Sequence, residues 1–139
     1  MARSWTMLRL ALLFLLATSN AWADWIAIGK SPEFTMYVDP QSMRRNGNIA
    51  SAWIMGDYAK TQKKRFPPPV LWVEFDSIKE LKNFDCSKGM HRTEKTVIMS
   101  GKFGKGDPLY SFSSVPDYFP VPNGELDIAQ FNYVCTNAR

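Results

Sequence analysis

Histidine and cysteine are scarce in this sequence of 139 residues, which contains one histidine, His91, and two cysteines, Cys86 and Cys135. Serine and cysteine nucleophiles need an adjacent base, and no G-x-S-x-G segment occurs anywhere in the chain. Two carboxylates, Glu74 and Asp76, alternate along a predicted strand, but that spacing is typical of the solvent-facing side of a strand. We therefore expect a protein that is not an enzyme and holds no cofactor.

Long apolar runs are also missing. The longest, residues 10–17, is far shorter than the roughly 20 residues that span a bilayer. Arg3 and Arg9 precede this run, and Ala21-Trp22-Ala23 follows it as an A-x-A cleavage site. This order predicts a secretory signal peptide over residues 1–23, and an exported protein whose remaining chain has no transmembrane segment.

Net charge is low in residues 24–139, which carry 15 basic and 13 acidic side chains. Such a balance gives no support to nucleic-acid binding. A stretch of 116 residues is long enough to form one hydrophobic core. We therefore expect a single domain over residues 24–139.

The two cysteines allow two readings. In an oxidising compartment, Cys86 and Cys135 most simply form one disulfide. That bond would close a loop of about fifty residues and stabilise the domain by about 4 kcal/mol. The alternative is a metal site formed by both cysteines and His91, although the chain lacks the paired C-x-x-C or H-x-x-x-H spacing of such sites. We assign no metal ligand.

Alternating apolar residues predict an α+β fold with an antiparallel sheet of about six strands. The predicted strands are residues 25–28, 34–38, 49–58, 71–76, 90–100 and 109–113. Residues 49–58 are apolar at both parities, as in a central strand covered on both faces. An Asn46-Gly47 turn precedes that strand.

Residues 77–84 fit two patterns. Ser77 and Glu80 match a helix capping box, whereas Ile78, Phe84 and Cys86 share the parity of a strand. We favour the strand, because the turn at residues 87–89 then makes a hairpin into the strand that follows.

The C-terminal segment has a helical pattern over residues 125–134. Leu126, Ala129 and Tyr133 lie on one helical face, and Glu125 and Asp127 occupy the first turn, where acidic side chains are favoured. We expect this helix to end at Cys135 and to pack on the sheet, with the disulfide attaching it there.

Residues 59–69 are predicted as a loop, with a basic run followed by three prolines. A cation-rich, aromatic surface can bind an acidic or extended partner. The candidate binding surface therefore combines the loop residues Lys63, Lys64, Arg65 and Phe66 with Trp72. The alternative interpretation is that this loop is a solvated basic surface with no binding role.

Three further residues are candidates for structural roles. Trp53 lies in the predicted central strand and is assigned to the core. Asp85 and Arg92 flank the turn at residues 87–89, and Arg92 is expected to pair with Asp85 or Glu80 across that hairpin.

The chain resembles the surface-adhesin protein E family of exported bacterial proteins over nearly all of residues 24–139. The features that match in order are Trp25, Tyr37-Val38-Asp39, Ala52-Trp53, Ser77 with Lys79, Phe84-Asp85-Cys86, Arg92, Gly104-Lys105-Gly106, Pro120-Val121-Pro122-Asn123-Gly124 and Val134-Cys135. The resemblance implies an antiparallel sheet with helix support, a Cys86–Cys135 disulfide, and a family whose named members bind host extracellular-matrix proteins. The FPPPV segment and the paired lysines Lys63 and Lys64 depart from the family pattern.

These observations predict an exported, non-enzymatic protein-binding module of a Gram-negative envelope, located in the periplasm or on the outer surface, and an adhesin if the resemblance extends to function. Its partner would be a host matrix protein or another envelope protein, and exposed edge strands are compatible with a homodimer. The alternative is a periplasmic accessory protein, or a small metal-binding protein or enzyme that uses Asp85, His91, Cys86 and Cys135.

Overall fold

The computed structural model describes residues 24–66 and 71–139, and the predicted signal peptide lies outside them. Within these ranges the chain forms one antiparallel sheet and one α-helix, α1. The elements are β1 (Ile26–Lys30), β2 (Phe34–Val38), β3 (Arg44–Asn46), β4 (Ile49–Phe66), β5 (Leu71–Asp85), β6 (Met90–Met99), β7 (Pro108–Ser113), β8 (Phe119–Pro120) and α1 (Glu125–Asn137). The predicted fold class, an antiparallel sheet with a C-terminal helix, is confirmed.

The sheet has the strand order β1-β2-β4-β5-β6-β7. The short β3 pairs with the start of β4, and β8 pairs with the start of β6. Gly47, with a φ of +61°, forms the turn between β3 and β4 at the predicted Asn-Gly position. The long strands β4 and β5 therefore lie in the middle of the sheet.

The prediction of a loop over residues 59–69 is wrong for residues 59–66, which continue β4 to Phe66. This end of β4 pairs with the start of β5, with Lys63 opposite Glu74 and Arg65 opposite Trp72. Charged residues hide the strand signal in the sequence, but backbone pairing with β5 satisfies the hydrogen bonds of this segment. We call residues 62–66 and 71–75 the hairpin arm. The three prolines lie outside the described residues.

Residues 77–84 form a strand, as predicted, within the continuous β5. Ser77 is fully buried and does not cap a helix. Its hydroxyl donates to the carbonyl oxygen of Gly101 at 2.6 Å and accepts from the backbone N–H of Gly104 at 2.9 Å. Pairing with β4 on one side and β6 on the other decides the conformation against the local capping signal.

The main core lies between the sheet and α1. Val38, Ile54, Phe84 and Val134 are buried there. The small side chains of Ala50 and Ala52 are buried in the same cluster. On β1, a Cβ added to Gly29 would lie only 2.6 Å from Leu126 Cδ2, so glycine lets the helix approach closely.

The Cys86–Cys135 disulfide joins α1 to the residue that follows β5. Its sulfur atoms lie 2.11 Å apart and its Cα atoms 5.7 Å apart. The predicted pairing is confirmed, and so is the attachment of the helix to the sheet. The helix begins at Glu125, where the sequence predicts it, and continues past Cys135 to Asn137.

A second buried cluster supports the hairpin arm. Val73, Phe75 and Ile98 are buried, and the partly buried side chains of Tyr58, Phe66, Ile78 and Tyr110 pack against them. The arm is thus anchored to the body of the sheet by its apolar side chains.

Trp53, which the sequence assigned to the core, is half-buried and lies outside the helix-covered core. Side chains alternate along β4, so Ala52 and Ile54 point toward α1 while Trp53 points to the other face. We call that other face, which includes Ser51, Trp53, Asn83 and Arg92, the open face of the sheet. Met55 shares that face and is fully buried beside Gly104, so β4 is covered by α1 on one face and in part by residues 102–104 on the other.

Candidate functional site

The hairpin arm positions the predicted binding residues by strand register. Lys63 is paired with Glu74, and Arg65 is paired with Trp72. Because directly opposed residues of an antiparallel pair point to the same face, these four side chains share one face of the arm. The sequence alone offers no signal for this register, because residues 62–65 of β4 are polar or charged at both parities.

Trp72 is the most prominent feature of this face, with 57% of its surface exposed. The Lys63 Nζ lies 5.6 Å from the centroid of the indole ring, and the Arg65 Cζ lies 5.3 Å from it. Two cations therefore approach one exposed aromatic ring. We call Lys63, Arg65 and Trp72 the basic-aromatic strip.

Glu74 completes the charge pattern beside the strip. Its Oε1 lies 3.7 Å from the Lys63 Nζ, and the two side chains are 66% and 60% exposed. An ion pair so exposed contributes little to the free energy of unfolding. Lys63 and Glu74 can therefore be changed at small cost to the fold. The sequence predicts Glu74 only as a residue on the solvent-facing side of a strand, because its pairing with Lys63 depends on strand register.

Lys64 and Phe66 lie on the opposite face of the arm from the strip. Lys64 is exposed and is paired with the buried Val73. The ring of Phe66 is half-buried, 5.1 Å from the ring of Tyr110 and 6.4 Å from that of Phe75. The structure thus brings together three of the five predicted binding residues, and Phe66 anchors the arm instead.

Asp85 shapes the turn between β5 and β6. Its Oδ1 accepts hydrogen bonds from the hydroxyl of Ser87 at 2.8 Å and from the backbone N–H groups of Ser87 and Lys88, both at 3.1 Å. The hydrogen bond from the Ser87 side chain is the main cause that lowers the pKa of Asp85. These contacts give Asp85 a turn-forming place in the hairpin.

Arg92 does not form the predicted ion pair with Asp85 or Glu80 in the described part of the chain. It lies opposite Asn83 on β5, and its Nε donates to the Asn83 Oδ1 at 2.9 Å. Its guanidinium also stacks on Tyr118, with the Cζ 4.5 Å from the ring centroid. Register places Arg92 and Asn83 together on the open face, which the turn pattern did not reveal.

The metal-site alternative is contradicted by the disulfide, because neither cysteine retains a thiolate for a metal. His91 instead stacks against Phe84, with ring centroids 6.4 Å apart. Burial lowers the pKa of His91, and the nearby charge of Lys82 lowers it further. Across residues 24–66 and 71–139, histidine, cysteine and acidic side chains form no group of three that could hold a metal ion.

No helix in the described ranges combines the length and apolar character needed to cross a membrane. The model of the surface-adhesin protein E family matches residues 25–136. A comparison with curated protein sequences found no match.

Among solved structures, crystal form II of Haemophilus influenzae protein E aligns with a TM-score of 0.60 and 13% identity, covering 86% of this chain and 92% of that chain. The structure of protein E from non-typeable Haemophilus influenzae aligns with a TM-score of 0.56 and 16% identity, covering 86% of this chain and 80% of that chain. At such identities the likeness shows a shared fold.

Proposed function

The chain belongs to the surface-adhesin protein E family, and from this premise we propose that it is an exported, non-enzymatic adhesin whose hairpin arm binds a protein of the host extracellular matrix. The observation that carries the proposal is the basic-aromatic strip, in which two cations flank an exposed tryptophan on one face of the hairpin arm.

The strip has the composition of a protein-binding surface. Tryptophan and arginine are enriched among the residues that dominate interface energetics, and an exposed indole gains the most when a partner covers it. Lys63 and Arg65 add positive charge beside the ring, which favours an acidic segment of the partner. Strand pairing and the buried cluster of Val73, Phe75 and Ile98 fix the backbone that carries the three side chains. Little backbone ordering is therefore needed when a partner binds.

Binding of the purified protein to surfaces coated with extracellular-matrix extract tests this proposal. Trp72→Ala is expected to weaken binding about thirtyfold, the loss typical of an interface hot spot of about 2 kcal/mol. The double variant Lys63→Ala/Arg65→Ala is expected to weaken binding more at low salt than at high salt, since screening already weakens those charges at high salt.

A matched control is Lys30→Ala/Lys88→Ala, which removes the same charge from two exposed positions outside the arm. This control should bind like the unaltered protein, and all variants should show similar melting temperatures. Equal affinity of Trp72→Ala, the strip double variant and the unaltered protein would remove the arm from the binding site.

Surface location is the second requirement of an adhesin. Protease added to intact cells is expected to digest the protein, as it would any chain displayed outside the outer membrane. The control is the same treatment after osmotic shock, which also exposes periplasmic proteins. Protection until shock would contradict display, and the partner would then be sought inside the envelope.

A further inference from the structure

Two of the cavities that the described residues form lie on the open face of the sheet, outside the hairpin arm, and a further cavity of about 380 Å³ adjoins one of them at Arg92. The larger of these two, of about 370 Å³, is lined by residues that include Arg44, Ser51, Asn83, Arg92 and Tyr118. The smaller, of about 220 Å³, is lined by Trp25, Asp39, Trp53 and Lys79. Ser51 and Trp53 are two residues apart on β4 and point to the same face, so the cavities lie about 7 Å apart along that strand.

A buried asparagine organises the larger cavity. Asn83 is only 4% exposed, and its Nδ2 donates to the Ser51 Oγ at 3.0 Å and to the Glu94 Oε2 at 3.3 Å. Its Oδ1 accepts from the Arg92 Nε, while Tyr118 supports the guanidinium plane. Arg92 is therefore held in position by a buried amide on one side and an aromatic ring on the other.

Arg44 brings a second guanidinium to the same cavity. It lies opposite Ser51, and its Nη1 donates to the carbonyl oxygens of Gln41 and Met43, both at 2.8 Å. Two positioned arginines form a site for a carboxylate, because the planar guanidinium fork matches the geometry of an oxyanion. Glu94, which shares the cavity, accepts hydrogen bonds and disfavours a ligand with a high density of negative charge.

The smaller cavity has aromatic walls. Trp53 is fixed in β4, where its backbone N–H donates to the Ser42 Oγ at 2.9 Å and its carbonyl oxygen accepts from the N–H of Asp39 at 3.0 Å. Trp25 precedes β1 and lies across the same cavity, and both indoles are half-buried. Asp39 and Lys79 supply one charge of each sign, so a neutral group with hydroxyls fits this cavity better than an ion.

We propose that the open face binds an oligosaccharide that carries a small number of carboxylate groups. The apolar face of a sugar ring would lie against Trp53, its hydroxyls would bond to Asp39 and Lys79, and the carboxylate of a neighbouring sugar would lie on the fork of Arg92 beside Arg44. An extended peptide is a poorer match, because β4 and β5 are interior strands whose backbone groups pair within the sheet.

This site is separate from the basic-aromatic strip, so the inference does not rest on the proposed function. Acidic sugars of this kind come from host glycans and from the bacterial cell wall. Calorimetric titration of the purified protein with four sugars tests the inference. Sialyllactose and a hyaluronan tetrasaccharide represent host glycans, a muramic-acid disaccharide represents the cell wall, and lactose is the neutral control.

At least one acidic sugar is expected to bind saturably and at least tenfold more tightly than lactose, and the one preferred identifies the source. Arg92→Lys keeps the charge but loses the bidentate fork, and is expected to weaken that binding about tenfold. Trp53→Leu is expected to weaken it further by removing the aromatic wall. Arg44→Gln removes the second guanidinium at an exposed position and leaves the contacts of the buried Asn83 in place.

The strip variant Lys63→Ala/Arg65→Ala is the matched control and should bind the sugar unchanged, whatever its effect on matrix binding. Lack of saturable binding by all three acidic sugars would overturn the inference. Tighter binding of a heparin tetrasaccharide or an acidic peptide than of any of these sugars would also overturn it. The same holds if Arg92→Lys, Arg44→Gln and Trp53→Leu all bind the preferred sugar as tightly as the unaltered protein does.

Discussion

Removal of the Cys86–Cys135 bond should lower the free energy of unfolding by about 4 kcal/mol. The two cysteines are separated by 49 positions. Closing a loop of about fifty residues removes about 14 cal/mol/K of entropy from the unfolded chain, which is about 4 kcal/mol at 25 °C. A domain of 116 residues unfolds with an entropy of roughly 240 cal/mol/K, so the melting temperature should fall by about 17 °C.

Thermal unfolding followed by circular dichroism, with and without a reductant, measures this effect. The double variant Cys86→Ala/Cys135→Ala should melt about 17 °C below the oxidised protein, and reductant should leave the melting temperature of the variant unchanged. Hydrogen exchange should show the largest loss of protection in α1, because the bond joins that helix to the end of β5. A fall of less than about 4 °C, corresponding to about 1 kcal/mol, would refute the loop-closure reasoning.

Three further substitutions test the packing and the titration. Phe75→Ala empties a fully buried position in the cluster below the hairpin arm, and urea unfolding should show a loss of about 3–5 kcal/mol, whereas a loss below 1 kcal/mol would contradict that packing. Ser77→Ala removes the hydroxyl that bonds to Gly101 and Gly104. It should cost about 1–3 kcal/mol in the same assay, and an unchanged free energy of unfolding would contradict a structural role for that hydroxyl. The pKa of His91 is lower in the folded protein than in the unfolded chain. Folding therefore favours the neutral imidazole. The resulting stabilisation is present above the unfolded pKa of about 6.5 and is lost as pH falls through the lower folded pKa. His91→Gln should therefore flatten the dependence of the melting temperature on pH just below 6.5, and an unchanged slope there would assign it to other groups.

The hairpin arm shows where sequence reasoning fails for this protein. Residues 62–65 are polar or charged at both parities, so they lack the alternation that marks a half-buried strand. They become a strand because β5 supplies backbone partners and because Val73 and Phe75, on the β5 side of the arm, are buried. The same pairing decides that Lys63 and Arg65 flank Trp72 while Lys64 points away from it.

Arg92 illustrates the same limit at a single residue. Its place after the turn at residues 87–89 suggested a carboxylate partner, but the register of β5 and β6 sets it opposite Asn83. Cross-strand partners depend on which residues face each other in space, and a local pattern does not specify that register. Tyr118 comes from a segment distant in sequence, so its stacking on Arg92 has no local signal at all.

The sequence by itself determined the outline of the protein. Alternation predicted the strand at residues 34–38 and the long strand that begins at Met90, helical spacing predicted α1, and two cysteines in a chain predicted to be exported indicated one disulfide. The strands and the helix follow from local periodicity, and the disulfide follows from the number of cysteines, so the sequence alone is enough to predict them. Only the tertiary structure decided which side chains meet. Strand register and the sheet face that α1 covers determine the basic-aromatic strip, the arginine and tryptophan cavities, and the half-exposed position of Trp53. Register and layer are set by packing between distant segments, and that information does not lie in any one stretch of the chain.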